Sequence, residues 1–198
     1  MLVMAHDHNG SRVSFETDDH IRPFIVGFGG TTRPGSSSER ALREALDAAE
    51  AAGAETLLLR ASELEFPMYR PDAPGTIASA LFIDALRRAD GIVIASPGYH
   101  GAMSGLIKNA LDYVEELRDD PRPYLDSRAV GCISCAYGWQ AAMTTLVSLR
   151  SVVHALRGWP TPLGVAINSG DPAENVTTQL HLLGRQVLDF ALMQMAVR

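Results

Sequence analysis

Short apolar runs and helical repeats alternate along nearly the whole of this chain, and that alternation admits few folds. The runs are Phe24 to Phe28, Thr56 to Leu59, Gly91 to Ser96, Ala129 to Cys135 and Leu163 to Ile167. Their starts lie about thirty to forty residues apart, the length that a strand and a crossover helix take before the next parallel strand. Between them, one stripe runs through Ala41, Leu42, Ala45, Leu46, Ala49 and Ala52 and stops at Gly53. Further stripes follow at Ile77 to Leu86, Leu106 to Leu117 and Ala142 to Leu156, and from Leu180 to Ala191 within a helix expected over 176–197. Helices on both faces of a parallel sheet follow, so the expected class is α/β: a flavodoxin-like three-layer sandwich with a five-stranded parallel sheet.

A length of 198 residues, 46% of them hydrophobic, suits one well-filled core. That domain is expected over residues 23–198. Residues 1–22 carry His6, His8 and His20 among scattered polar groups and read as a flexible arm. A metal bound by His6 and His8 is the alternative reading of that arm. The net charge of −6 comes from interspersed acids and bases, with no cationic stripe for a nucleic acid. No run of about 18 apolar residues occurs, and the polar amino terminus lacks a basic-then-apolar leader pattern. A cytoplasmic protein without a membrane partner is expected. Cys132 and Cys135 form a C-x-x-C inside an apolar run; on a strand, residues three apart point to opposite faces, so they read as core thiols and not as a redox pair or metal ligands.

A doubly wound sheet gathers ligands outside the carboxyl ends of its strands. The loop after the first strand, Gly29 to Glu39, is full of glycines and hydroxyls with one cation, Arg33, and opens directly into a helix. Exposed amides at a helix start, its dipole, hydroxyl donors and a guanidinium make a phosphate cradle. The plainer reading, which can hold alongside, is a helix cap at Ser36 with Glu39 closing a capping box. Thr32 stands where the G-x-G-x-x-G fingerprint needs its third glycine, and no Lys follows Gly35 as a triphosphate loop requires. The loop after the third strand holds Pro97, Gly98, Tyr99, His100 and Gly101, stiff and flexible by turns, and can border a planar ring. His100 reads either as a plain loop histidine or as a proton donor. The loop after the fourth strand sets Tyr137 and Trp139 around Gly138, where they can flank a ring or pack at an interface.

With these loops in order, the chain resembles the NADPH-dependent FMN reductase family over about residues 24–170. The pattern S-P-E-Y-N-x-x-x-x-G-x-L-K-N-A-x-D is similar to the stretch from Ser96 to Asp112, with Gly98 in place of the acid and His100 in place of Asn. The first-loop pattern G-S-x-R-x-x-S-x-N resembles Gly30, Thr31, Arg33, Ser36 and Ser38, with Thr for Ser and Ser for Asn. The resemblance implies FMN, its phosphate held by Thr31, Arg33, Ser36 and Ser38. Its ring would lie against Pro97, Gly98, Tyr99, His100 and Gly101 on one side and Tyr137, Gly138 and Trp139 on the other. It further implies hydride transfer from NADPH or NADH to FMN, with no side chain required as a catalytic acid or base.

Several destinations for the electrons stay open. Reduced flavin could supply a monooxygenase, or bound FMN could reduce a quinone, an azo compound or a metal oxyanion. Rivals of other kinds are a flavodoxin-like electron carrier and a phosphate-binding module without redox activity. A homodimer or homotetramer is expected. Tyr113 and Met103 should lie on the exposed side of the helix after the second loop, where another copy could cover them.

Overall fold

The structure is a computed structural model that describes residues 22–171 and 175–197, and a two-residue antiparallel pairing of Ala5–His6 with Arg12–Val13. The expected arm over 1–22 and the weighed metal at His6 and His8 otherwise lie outside the described residues. Arg22 itself belongs to the folded body, its guanidinium donating to the carbonyls of Gly53 (3.0 Å) and Ala54.

Five strands form the sheet: β1 (Phe24–Gly29), β2 (Glu55–Arg60), β3 (Gly91–Tyr99), β4 (Ala129–Ala136) and β5 (Val165–Asn168). All pair in parallel, in the spatial order β2-β1-β3-β4-β5. That is the flavodoxin-like order, in which the winding reverses between β1 and β3 and opens a crevice at their carboxyl ends. The edge beside β4 comes in two pieces: Trp159–Pro160 pairs with the start of β4 and β5 with its end, so β5 begins two residues later than the apolar run does.

Burial follows position. β3 and β4 are buried along their lengths up to Gly98, whereas β2, at the edge, is half-buried. Helices α1 (Ser37–Ala51) and α5 (Val176–Ala196) cover one face over Ile25, Val93, Ile133 and Val165. Helices α2 (Ile77–Arg88), α3 (Gly105–Asp112) and α4 (Trp139–Ala155) cover the other over Val26, Phe28, Ile92 and Val130. Cys132 falls in the second core and Cys135 in the first, the opposite-face placement that the strand period requires. Both thiols are free, and burial pushes each up to about 12.

The local signals explain where the helices start and stop. Ser36 caps α1 by accepting from the Glu39 amide, and Thr76 and Ser79 form a reciprocal box at the start of α2. At the far end of α2, Arg122 and the fully buried Arg128 donate to the carbonyls of Arg87 and Ala89, placing cations at the negative end of that helix.

Two expectations are corrected here. The stripe from Leu106 to Leu117 is not one helix: α3 ends at Asp112 and a 3₁₀ segment covers Tyr113–Leu117. Tyr113 and Met103 are buried, not exposed. The loop that follows β2 comes over Tyr113, whose hydroxyl donates to the Pro67 carbonyl (3.1 Å) and whose ring packs edge-on against Phe66 and Tyr69. Met103 belongs to a short antiparallel pairing of Ala102–Met103 with Gly98–Tyr99, which turns its side chain inward.

Candidate functional site

The crevice between β1 and β3 is bounded by the three loops that the sequence singles out. In the first, Thr31 Oγ1 accepts from the Arg33 amide (3.1 Å) and Ser36 Oγ from the Glu39 amide (3.3 Å), while Ser38 is buried 3.3 Å from Ser36. The Arg33 guanidinium is exposed and has no side-chain partner among the described residues. Glu39 does not complete a capping box. Its carboxylate reaches past Ser36 to accept from the Gly35 amide (3.0 Å) and pairs with Arg60 (3.3 Å) and Arg43 (3.8 Å). The charge of Glu39 is thus offset outside the crevice, by residues other than Arg33.

The second loop is a hairpin closed by Ser96, whose hydroxyl accepts from the Ser104 amide (3.0 Å), after which Ser104 caps α3. Gly98 has no room for a side chain: a Cβ there would stand 2.6 Å from Thr145 Oγ1 and 2.9 Å from the Ala136 Cβ. The acid of the resembled pattern is therefore excluded by α4 itself. His100 adopts φ 52°, a left-handed conformation that Asn and His tolerate better than most residues, so an exchange of Asn for His keeps the turn.

In the third loop, Gly138 takes φ 90° and donates its amide to Asn168 Oδ1 (2.9 Å), which also accepts from the Gly170 amide (3.1 Å). The last residue of β5 thereby pins the turn between β4 and α4. Tyr137 is left 86% exposed, with its ring above the crevice floor.

Two hollows meet here. One, of about 550 Å³, runs from residues 31–38 past Arg40 to Pro97, Gly98, Tyr99, Cys135, Ala136 and Tyr137. The other, of about 450 Å³, lies among His100, Gly101, Tyr137, Gly138, Gln140, Ala141 and Thr144. Tyr137 borders both, and the two hollows together are the trench of this site. Of the residues expected at the site, Thr31, Arg33, Ser36, Ser38, Pro97, Gly98, Tyr99, His100, Gly101, Tyr137 and Gly138 all line it. Trp139 does not: it opens α4, half-exposed, in line with Met143 and Val147 on the outer side of that helix. A separate cavity of about 570 Å³ between the 67–75 loop and α2 shares no lining residue with the trench.

The sequence reading passed over Arg40, Asn168, Gln140 and Thr144. Arg40 folds back from the first turn of α1 onto the Gly35 carbonyl and Ser37 Oγ (3.3 Å), which puts a second guanidinium at the trench. Its position four residues after the Ser36 cap was a usable signal, because that spacing returns a side chain to the helix start. Asn168 carried none, since its role depends on a loop thirty residues away. Among the described residues no carboxylate lines either part of the trench, although the chain as a whole is acidic.

Residues 23–171 match the family described as NADPH-dependent FMN reductase. An FMN-dependent NADPH-azoreductase of Staphylococcus aureus is 30% identical over 122 residues, which span 56% of this chain and 60% of that relative. Among solved structures, an NADH:FMN oxidoreductase in its apo form superposes with a TM-score of 0.66 at 20% identity, covering 86% of this chain and 89% of the other. A WrbA-like flavodoxin from Agrobacterium tumefaciens gives a TM-score of 0.62 at 16% identity, over 87% and 99% of the two chains. These two likenesses bear on the fold alone.

Proposed function

Because this chain belongs to the NADPH-dependent FMN reductase family, we propose that its trench holds FMN and that the protein oxidises NADPH or NADH with the flavin as electron acceptor. The observation that carries this reading is the charge pattern of the trench. Arg33 and Arg40 stand at one end beside the start of α1, and no carboxylate among the described residues lines the walls. A phosphate dianion needs such an end, and a flat ring needs the loops at the other.

The residues present fit the group. Thr31, Ser36, Arg33 and the amides at the start of α1 would take the phosphate, with Arg40 and buried Ser38 framing it. Pro97 to Gly101 and Tyr137 to Gly138 would border the ring. FMN held there supplies the acceptance of a hydride from a reduced nicotinamide and its onward delivery as electrons. The chain's own part is positional. The Gly98 contact keeps the hairpin close against α4, Asn168 holds the Gly138 turn open, and exposed Tyr99 and Tyr137 leave a face for nicotinamide and acceptor in turn.

Among the described residues the trench walls carry arginines and no acid, a pattern less suited to a flavodoxin-like electron carrier that docks partners through acidic surroundings. For the acceptor, two readings remain. Free FMN, released after reduction to supply a monooxygenase, agrees with a trench whose bordering side chains Tyr99 and Tyr137 are exposed. Reduction of an azo compound or quinone by bound FMN is favoured by the azoreductase relative and by the aromatic rims. We place the protein in the cytoplasm as a homodimer or homotetramer. The apolar stripe of Trp139, Met143 and Val147 beside the trench supports the assembly.

NADPH oxidation in air, titrated with FMN, tests the reading. A rate that saturates with added FMN supports the flavin-releasing reductase, and a rate indifferent to FMN but raised by azo dyes or quinones supports the other acceptor. Protein that binds FMN and oxidises neither nicotinamide would refute an enzyme.

A further inference from the structure

At the ring end of the trench two polar side chains line one hollow without side-chain partners among the described residues. His100, from the hairpin after β3, and Gln140, from the first turn of α4, both line the hollow of about 450 Å³ and make no side-chain hydrogen bond among the described residues. His100 replaces the Asn of the pattern that Ser96 to Asp112 resembles, and Gln140 lies outside that pattern. Neither is explained by packing, since both are exposed.

The chemistry of the pair is specific. A carboxamide offers one acceptor and two donors, which complements an imide edge that alternates carbonyl, N–H and carbonyl. A flavin ring has one such edge, at its pyrimidine end. An imidazole adds a donor to a ring carbonyl when neutral and a positive charge when protonated. We propose, resting on the FMN reading above, that His100 and Gln140 grip the pyrimidine edge of the ring, and that protonated His100 biases the site toward reduced over oxidised flavin.

The surroundings make the bias possible. Among the described residues, the other ionisable groups lining this end are Tyr99 from the hairpin, Tyr137 from the loop before α4 and the thiol of Cys135 at the end of β4; the facing turns of α4 contribute Gln140, Ala141 and Thr144. Arg33 and Arg40 lie at the phosphate end, where the dianion would occupy them. With no carboxylate among the described residues on the walls, negative charge gathered on the ring by reduction is the counter-charge available to an imidazolium at position 100. His100 is thus a positioning residue that acts on the ring and not a proton donor to the acceptor.

The experiment measures FMN binding to flavin-free protein, oxidised in air and reduced under anaerobic conditions, at about pH 6 and about pH 8.5, on either side of the imidazole range. In the unaltered protein the preference for reduced FMN should be larger at the lower pH. His100→Asn keeps the left-handed turn and should reduce that preference by about tenfold at the lower pH, equivalent to about 30 mV for a two-electron couple, with little change at the higher. Comparing the two proteins cancels the pH dependence of FMN itself. Gln140→Ala should weaken both oxidation states about fivefold at both pH values, the loss of one neutral hydrogen bond. An unaltered preference in His100→Asn, or full affinity in Gln140→Ala, overturns the proposal while leaving the FMN reading intact. Failure of the unaltered protein to bind FMN in either state overturns both.

Discussion

Arg33 and Arg40 approach the same end of the trench from different elements, and their surroundings predict unequal roles. Arg33 is free to turn toward an anion, whereas Arg40 is already engaged with the Gly35 carbonyl and Ser37. Arg33→Ala should weaken FMN binding by about 1.5 to 3 kcal/mol, the scale of a hydrogen bond to a charged group, and Arg40→Ala by less; flavin fluorescence titration measures both. Gly98→Ala forces a methyl group against Thr145 and Ala136 and should cost about 1 to 3 kcal/mol, as overpacked interiors do. Gly98→Ala/Thr145→Ala should recover part of that loss in urea unfolding. The cysteines give a pH prediction. Burial raises both thiols from the ordinary value near 9 to about 12, so the folded state keeps protons that the unfolded chain releases. Stability from this source is complete below about pH 9 and is lost as pH rises from there toward 12. Unfolding curves at rising alkaline pH should show that decline, and a Cys132→Ala/Cys135→Ala variant should show less of it.

Elements here are held by a few close approaches that no periodicity reveals. Helices α1 and α5 touch backbone to backbone at Gly184, where a Cβ would stand 2.1 Å from the Ala45 carbonyl oxygen. Gly184→Ala must push the helices apart, and a loss of about 1 to 3 kcal/mol is expected in thermal or urea unfolding. On the opposite face Asn109 of α3 ties down the loop after β2. It accepts from the Tyr69 amide (2.8 Å) and donates to the carbonyls of Phe66 (3.3 Å) and Pro67 (3.0 Å). This Asn stands in the motif read as flavin-binding, yet its side chain works as a staple. Asn109→Ala should cost about 2 to 3 kcal/mol by stranding these backbone groups, and hydrogen exchange should speed up over residues 66–70 with FMN affinity little changed.

For the whole molecule, burial of Tyr113 and Met103 removes the side chains first expected at a subunit contact. Among the exposed apolar side chains of the described residues is the outer stripe of α4, Trp139, Met143 and Val147, about 45 to 62% exposed and repeating every four residues beside Tyr137. A stripe that carries its own complement suits a two-fold pairing. Light scattering should give a mass of at least twice 21.3 kDa at micromolar concentration, and Met143→Glu/Val147→Glu should halve it. A native protein that already scatters as a monomer would contradict the assembly.

The sequence alone determined the class of fold, the place of the core strands and the three loops that supply most of the trench walls. Those properties are carried by period, caps and loop composition, which act over a few residues and leave a local trace. Cys132 and Cys135 are a clear case, because strand alternation by itself put them on opposite faces. Tertiary structure decided what depends on residues far apart in the chain: the order β2-β1-β3-β4-β5, the exclusion of an acid from position 98 by Thr145, the pinning of Gly138 by Asn168, and the cover that the 66–69 loop lays over Tyr113. Trp139 shows the limit within a single loop. Its neighbours line the trench, but as the first residue of α4 it takes its direction from the helix, and that direction is set by how the opposite face of α4 packs on the sheet.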